Sequence, residues 1–174
     1  MNETATRPDT VPSATGSTKL ATQSLKDKVF FFPDGLPAFE EVHQFFFACR
    51  PETAPFLFMR ALEPVHLGFV CIDPFLIRPG YKLDLSDADT AFLDIAKPDE
   101  VLVLSIVTPS PDVRQTTANL QSPLVVNLRT CRGRQIIGAD TSYPVRYAIW
   151  EELKHFAREA PLPVPAAEGS RSAA

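Results

Sequence analysis

Acidic side chains are concentrated in the stretch DLSDADTAFLDI (84–95), where their spacing superficially resembles a calcium-binding loop. Such a loop supplies oxygen ligands at alternate positions, glycine at the sixth position for a sharp turn, and a bidentate glutamate at the twelfth. Here Asp89 stands at the sixth position and Ile95 at the twelfth. The sequence therefore predicts no calcium site in this stretch.

Motifs of other chemistries are also missing. The sequence has no GxSxG elbow, no GxxxxGK[ST] phosphate loop, no GxGxxG fingerprint and no HExxH helix. The three histidines lack ligand spacing, and the three cysteines are far apart with no CxxC, which favours reduced thiols over a disulfide or metal role. Glu40 and Glu41 are adjacent, so their carboxylates point apart. We predict a protein that is not an enzyme and that holds no cofactor or metal.

Charge is the feature that stands out. Six carboxylates lie between Leu83 and Glu100 with Lys97 as the only base, a local charge of −5 against −4 for the whole chain. One interpretation is helix capping plus a solvated face, and the other is a negative patch that docks against a basic protein. The candidates for partner binding are Asp84, Asp87, Asp89 and Asp94.

Two further groups of candidates are apolar and amide side chains. Phe75, Leu76 and Ile77 follow Asp73-Pro74 and are candidates for an exposed apolar contact, although such runs also occur in cores. Asn119 stands within a strand-like run near Pro123. Its amide needs partners if buried, so it either satisfies a bulge or contacts a partner.

The stretch 101–138 organises the chain. VLVLSIVT (101–108) is apolar on both faces apart from Ser105, which predicts a strand covered on both sides. Pro123 divides the next run into two pieces of one bent strand, 118–121 and 124–128. Arg132-Gly133 predicts a tight turn before a last strand at 134–138.

The rest of the chain supplies further short strands and two helices. Strands are predicted at 29–32, 44–49, 56–62, 67–72 and 81–85. Ser86 precedes acidic residues and predicts the capped start of a short helix, and apolar spacing from Ala148 predicts an amphipathic one. About eight strands at ten-residue spacing, with 17 prolines and 7 glycines, favour an all-β antiparallel barrel or sandwich.

Composition sets the expected organisation. We predict a disordered arm at 1–24, a β domain at 25–147, a C-terminal helix at 148–160 and a disordered tail at 161–174. No signal peptide and no apolar run long enough to span a membrane is visible. A pI of about 5.4 argues against direct nucleic-acid binding and is compatible with a basic protein partner.

Several blocks resemble the bacterial flagellar assembly factor FliW. They include FFPDGLPAFEE (31–41), FVCIDPFLIRPGYKLDLSD (69–87), PDEVLVLSIVT (98–108), TTANLQSPLVVN (116–127) and RQIIGADTSYPVR (134–146), in the order of that family. The sequence departs from the family at Ala38, where glycine is usual, and at 19–28, a poor match to the usual N-terminal hairpin.

This resemblance implies a small antiparallel β-barrel-like domain, to which the residue patterns add one short inserted helix and a C-terminal helix that lies outside the resemblance. It also implies a cytoplasmic, non-enzymatic protein that binds flagellin and the RNA-binding regulator CsrA, and we expect this protein to be a monomer. In that family, CsrA is antagonised noncompetitively, so that flagellin translation follows the level of free flagellin. Two alternatives stay open: a flagellin chaperone that does not antagonise CsrA, and a barrel that binds a small ligand.

Overall fold

The computed structural model describes residues 24–137 and 142–159, with side chains up to Lys154. The nine strands of these residues are β1 (Val29–Phe31), β2 (Gln44–Cys49), β3 (Leu57–Ala61), β4 (Gly68–Ile72), β5 (Val101–Thr108), β6 (Thr117–Ala118), β7 (Leu124–Asn127), β8 (Arg132–Gln135) and β9 (Tyr147–Ala148). The helices are α1 (Pro74–Ile77), α2 (Asp87–Phe92) and α3 (Trp150–Glu159). Single 3₁₀ turns occupy Pro51–Thr53, Pro98–Glu100 and Val113–Gln115.

The sheet closes into a seven-stranded barrel, which confirms the predicted fold class. Its strands follow the order β4-β3-β2-β1-β8-β7-β5, and β5 pairs back onto β4. All ladders are antiparallel except that between β1 and β8, where Phe31 is the register partner of Arg132 in a parallel pair. Strands β6 and β9 extend the sheet outside the barrel from the end of β5.

Strand β5 is covered on both sides, as its sequence predicts. Leu102 and Leu104 point into the barrel and join its apolar core. Val103 and Val107 point outward into a second core, which the helices and loops cover. Phe30, Phe32 and the other interior side chains are fully buried, and they fill the barrel. The barrel interior is therefore an apolar packed core.

The predicted strand at 81–85 is wrong. This segment has no strand pairing, although its burial alternates: Tyr81 and Leu83 are buried, whereas Lys82 and Asp84 are exposed. The hydroxyl of Tyr81 donates to the carbonyl oxygen of Leu120 at 2.8 Å. The alternation reflects side chains packing on the outside of the barrel, without a backbone ladder.

The predicted turn at Arg132-Gly133 is also wrong, because both residues lie inside β8. The turn precedes them and places Cys131 at a φ of 56°. The Asn127 side chain shapes it, since Oδ1 accepts from the backbone N–H groups of Arg129 at 2.8 Å and Thr130 at 3.2 Å. The strand therefore starts earlier than expected.

Three terminal predictions concern residues at the limits of the described ranges. Residues 1–23 of the predicted arm and 160–174, which hold the tail, lie outside the described residues. The helix expected at 148–160 corresponds to α3 (Trp150–Glu159). Within the described ranges no helix is long and apolar enough to cross a membrane.

Candidate partner-binding surfaces

Helix α2 starts as the capping pattern predicts. The hydroxyl oxygen of Ser86 accepts from the backbone N–H of Asp89 at 3.0 Å, and that hydroxyl donates to the Asp89 carboxylate at 2.5 Å. The carboxylates of Asp87 and Asp89 lie in the first turn, where the helix dipole favours negative charge. Capping therefore accounts for the residue types at the start of α2. This agrees with the first interpretation of the acidic segment, helix capping plus a solvated face.

The acidic segment faces arginines of β8 and of the turn before it. Arg134 forms ion pairs with Asp89 and Asp34, both at 3.0 Å. Arg129 pairs with Asp94 at 3.1 Å and with Glu100 at 3.0 Å. The local charge of −5 is thus partly neutralised by bases that lie far away in sequence.

An aromatic contact fixes α2 on the same strand. The guanidinium carbon of Arg134 lies 4.2 Å from the ring centroid of Phe92, and that of Arg132 lies 5.2 Å from it. Phe92 is half-buried and packs against the outer core. The arginines therefore hold α2 by charge at one end and by cation–π contact at the other.

Asn127 anchors the end of the acidic segment. Its Nδ2, in a fully buried side chain, donates to the carbonyl oxygens of Leu93 at 3.0 Å and Asp94 at 2.8 Å. With the two bonds accepted by Oδ1, all the polar atoms of this amide are satisfied. The segment is thus fixed to the barrel wall.

Glu100 and Arg129 form the exposed side of this anchor. Desolvation raises the pKa of the Glu100 carboxyl, but hydrogen bonds from the Ala96 N–H and from Arg129 outweigh it and lower that pKa from its ordinary value. The pKa of Arg129 is raised, chiefly by its hydrogen bond to Asp94. Both groups are charged at neutral pH, and the carboxylates of Glu100 and Asp94 are already engaged by the Arg129 guanidinium.

The acidic groups left for a partner are fewer than the sequence predicts. Asp84 and Asp87 are exposed and form no ion pair among the described residues, whereas the predicted candidates Asp89 and Asp94 pair with arginines. Asp99 is exposed in the same way and joins them as a candidate. The geometry thus separates the four predicted aspartates into two free and two paired groups.

The apolar candidates form α1 and are only partly accessible. Phe75 and Leu76 are half-buried, and the Phe75 ring packs edge-on against Tyr81 at a centroid distance of 5.5 Å. Ile77 is completely buried, so the expectation that it is exposed is wrong. A four-residue helix on a barrel wall must turn one side inward, and Ile77 is on that side.

Asp73 caps α1 from a buried position. Its Oδ1 accepts from the Phe75 N–H at 2.8 Å, and the residue is 5% exposed. Burial raises the pKa of this carboxyl to about 6, and the hydrogen bond from Phe75 opposes part of that shift. The charged carboxylate therefore carries a desolvation cost at neutral pH.

Asn119 has a structural role in this geometry. Its Oδ1 accepts from the N–H groups of Gln121 at 3.1 Å and Ser122 at 3.0 Å, which shapes the chain between β6 and β7 before Pro123. Its own N–H donates to Ile106 on β5. These bonds match the bulge interpretation of this amide, and contact with a partner is left as a proposal.

Metal-ligating and nucleophilic groups are not gathered anywhere in the described ranges. No group of three His, Cys, Asp or Glu side chains among those residues could hold a metal ion. Burial raises the pKa of the Cys71 thiol to about 12, so it stays protonated.

The sequence analysis did not predict that arginines lie opposite the acidic segment. Arg132 and Arg134 alternate with Gly133 and so share one face of a strand, and Arg129 precedes them in the turn. Period-two bases could have predicted a charged strand face. Nothing in the sequence pairs that face with carboxylates that lie 29 to 45 positions earlier.

Comparisons with known proteins agree with this architecture. The family model described as "FliW protein" matches residues 15–149. Flagellar assembly factors FliW from Caldicellulosiruptor saccharolyticus and Moorella thermoacetica are 35% and 38% identical over 128 and 122 residues, covering 74% and 70% of this chain and 84% and 77% of theirs. That of Treponema pallidum is 36% identical over 135 residues, covering 77% of this chain and 89% of its own.

A solved structure supports the same similarity. A crystal structure of the flagellar assembly factor FliW superimposes with a TM-score of 0.66 at 34% identity, covering 71% of this chain and 86% of that one. The family match begins at residue 15, ahead of residue 31, where the similar blocks found in the sequence begin, and it ends at residue 149, just before α3.

Proposed function

The chain belongs to the FliW family of flagellar assembly factors, and from this membership we propose that it couples flagellin synthesis to flagellin demand in the cytoplasm. In this proposal the protein is a monomer without enzymatic activity and without direct contact to nucleic acid. It binds two proteins, flagellin and the translational regulator CsrA. The family match over 135 residues of the chain is the observation that carries the proposal.

The proposed mechanism is a partner switch. When flagellin is scarce, the free protein captures CsrA, and translation of flagellin mRNA is relieved of repression. When flagellin accumulates, it occupies the protein, and CsrA returns to the message. The antagonism is noncompetitive, because the protein binds CsrA away from its RNA site.

For CsrA, the acidic surface formed by Asp84, Asp87 and Asp99 is the proposed contact. A protein that binds RNA must carry positive surface, and exposed carboxylates without ion pairs among the described residues are free to meet it. Asp89 and Asp94 support this surface from behind, since their arginine pairs hold α2 and the segment after it.

For flagellin, the accessible part of α1 is one proposed contact. Phe75 and Leu76 are half-buried on a short helix whose start Asp73 fixes. Helix α3 packs beside α1, and Ile77 of α1 is fully buried. The contact proposed from the sequence therefore reduces to these two side chains, and Asn119 is proposed only as a neighbouring polar contact.

Titration calorimetry tests the proposal directly. The full chain is titrated with CsrA, and the titration is repeated with flagellin already bound. We expect tight CsrA binding that flagellin abolishes. Flagellin binding without CsrA binding would instead support a chaperone that does not antagonise CsrA, and binding to neither would contradict the proposal.

A small-ligand barrel is the weaker candidate. Its support would be polar side chains converging on an apolar cavity. The buried residues of the interior cluster are instead all apolar, and their largest side chains include Phe30, Phe32, Phe45 and Met59 at 0% exposure. This filled interior favours a protein that works through its outer surface.

A further inference from the structure

The outer face of β1, β2 and β3 is the apolar surface that the function described above leaves without a role. Inward-pointing residues of these strands fill the barrel, and the alternate residues point out. The helices pack elsewhere, since α1 contacts β5 and α3, and α2 lies on the arginines of β8. Its apolar side chains are Val29, Phe31, Phe46, Phe58, Leu62 and Val65.

Exposure is concentrated on this face. Of the eight large apolar side chains that are exposed among the described residues, four lie here: Val29 at 44%, Phe31 at 45%, Leu62 at 37% and Val65 at 70%. The strand register places Val29 beside the half-buried Phe46, and it places Gln44 between Phe31 and Leu62, whose backbone N–H donates to the carbonyl oxygen of Gln44 at 3.0 Å. The face is therefore apolar except for Gln44 and Arg60. Exposed apolar side chains gathered on one face in this way are typical of an interaction site.

One charged group stands inside this apolar face. Arg60 points outward from β3 as the register partner of Phe46, and its guanidinium donates to the carbonyl oxygen of Val65 at 3.1 Å. It forms no ion pair among the described residues, unlike Arg129 and Arg134 on the other side of the barrel. An arginine held in an apolar surround is suited to a carboxylate supplied by a partner.

We propose that this face, centred on Arg60, is the docking site for a flagellin segment that presents apolar side chains around one carboxylate. The inference deepens the proposed function and rests on it, since it gives flagellin a second contact surface in addition to the accessible part of α1. A second copy of this chain fits poorly, because a two-fold contact would place Arg60 against Arg60 across an apolar interface.

Along the line where β1 pairs with β8, the face borders the part of the barrel that carries α2, and with it Asp87 of the acidic surface. Arg132 is the register partner of Phe31, and it also packs on Phe92 of α2. A partner that covers Phe31 therefore reaches the edge of the acidic surface. Flagellin on one side of this line would hinder CsrA on the other, which gives the partner switch a steric basis.

Binding measurements on full-length variants test the proposal. Arg60→Glu and Val65→Ser alter exposed side chains of the face, and Arg146→Glu and Val113→Ser make the same changes at exposed positions outside it. We expect Arg60→Glu to weaken flagellin binding at least tenfold and Val65→Ser several-fold, with both controls like the unaltered chain. Arg60→Glu should still bind CsrA normally, but flagellin should no longer displace CsrA from it.

The remaining outcomes have defined meanings. Normal flagellin binding by both face variants would overturn the inference and leave the proposed function standing. If Arg60→Glu does not fold by circular dichroism, Arg60→Gln decides by the same criterion. A dimer of the unaltered chain that Val65→Ser dissociates in sedimentation would assign the face to a second copy and overturn the inference. Absence of flagellin binding by the unaltered chain would overturn the proposed function and the inference together.

Discussion

The side-chain amide of Asn127 donates a 2.8 Å hydrogen bond to the backbone carbonyl oxygen of Asp94. Asn127 ends β7, and Asp94 has a φ of 54° where the chain leaves α2. The bond therefore joins the barrel wall to the acidic segment at a residue whose backbone conformation is rare for residues other than glycine. This amide therefore fixes the end of the acidic segment, together with Arg129, which donates to the same carbonyl oxygen at 2.7 Å.

Replacing Asn127 by alanine should destabilise the protein by about 2–4 kcal/mol. The change leaves the backbone N–H groups of Arg129 and Thr130 without their acceptor, and unsatisfied buried groups are costly. It also removes one hydrogen bond to each of the carbonyl oxygens of Leu93 and Asp94, which still accept from the side chains of Thr130 and Arg129. Urea unfolding followed by circular dichroism measures the loss. A change below about 1 kcal/mol would contradict the role assigned to this amide.

Asn119→Ala is the matched control for this prediction. Asn119 is half-buried, and its Oδ1 also accepts two backbone N–H bonds, but its amide nitrogen does not bridge to the acidic segment. We expect a loss of about 1 kcal/mol. Equal losses for the two asparagines would show that turn formation alone, without the bridge, explains the effect of Asn127→Ala.

Strands were predictable where burial alone determines the pattern. The runs at β2 and β5 are apolar on both faces or strongly aromatic, so the predicted bounds match the observed ones. The prediction of a strand at 81–85 was wrong because alternation indicates which side chains are buried and not whether the backbone is paired. The prediction of a turn at Arg132-Gly133 was wrong because glycine is needed at position 133 to make room for the ring of Phe32.

The residue types of the candidate site were predictable from the sequence, but their arrangement in space was not. The acidic segment and its capping serine are local features, so the sequence shows them. The pairing of Asp89 with Arg134 is set by the barrel closure, which brings distant strands together. The apolar face around Arg60 was missed because its side chains come from three strands, and the sequence does not show that these strands lie side by side.

Charge reversal at the free carboxylates should weaken CsrA binding. Asp84→Lys with Asp87→Lys removes two exposed negative charges that no described residue neutralises, and we expect roughly a tenfold loss of affinity at low salt. The variant should also show a weaker dependence of affinity on salt, because fewer charges are screened. Calorimetry at two salt concentrations measures both effects.

Glu52→Lys provides the control for charge reversal. Glu52 is exposed, forms no ion pair among the described residues and lies in the 3₁₀ turn between β2 and β3. This single reversal makes half the change of charge of the double variant, and it should leave CsrA affinity nearly unaltered. If it reduces the binding free energy by about half as much as the double variant does, the net charge of the chain rather than the acidic surface governs binding.

Asp73→Asn should stabilise the protein above pH 6 and have little effect near pH 4. The folded pKa of about 6 lies above the unfolded value of 3.8, so the folded state binds this proton more tightly. Stability due to this group is therefore full below the unfolded pKa and is lost as the pH rises through about 6. We expect a gain of about 1–3 kcal/mol at pH 7.5, since asparagine keeps the cap without the charge.

Urea unfolding at pH 4 and pH 7.5 measures this difference between variant and unaltered chain. Asp112→Asn is the control, because Asp112 also caps a short helical turn, Val113–Gln115, but at a half-exposed position where it pairs with the exposed Arg114. It should change stability by less than about 1 kcal/mol at either pH. A gain from Asp73→Asn that is the same at both pH values would contradict burial of a charged carboxylate as the cause.

Gly133→Ala should destabilise the barrel where β8 pairs with β1. A Cβ atom at Gly133 would stand 2.3 Å from Cζ of Phe32, whose ring is fully buried and packs edge-on against Phe45. Since the ring cannot swing into solvent, the backbone of β8 must shift, and overpacking of this kind costs about 1–3 kcal/mol. Thermal and urea unfolding measure the loss.

A double variant separates the contact from other causes. Phe32→Leu removes the ring atoms that the new Cβ would meet, so adding Gly133→Ala to it should cost less than adding it to the unaltered chain. Gly80→Ala supplies the comparison for backbone strain alone, because Gly80 has a φ of 80° and nothing within 4 Å of a Cβ placed there. We expect that change to cost about 1 kcal/mol. Additive effects of Phe32→Leu and Gly133→Ala would show that the close approach of the ring is not what requires glycine at this position.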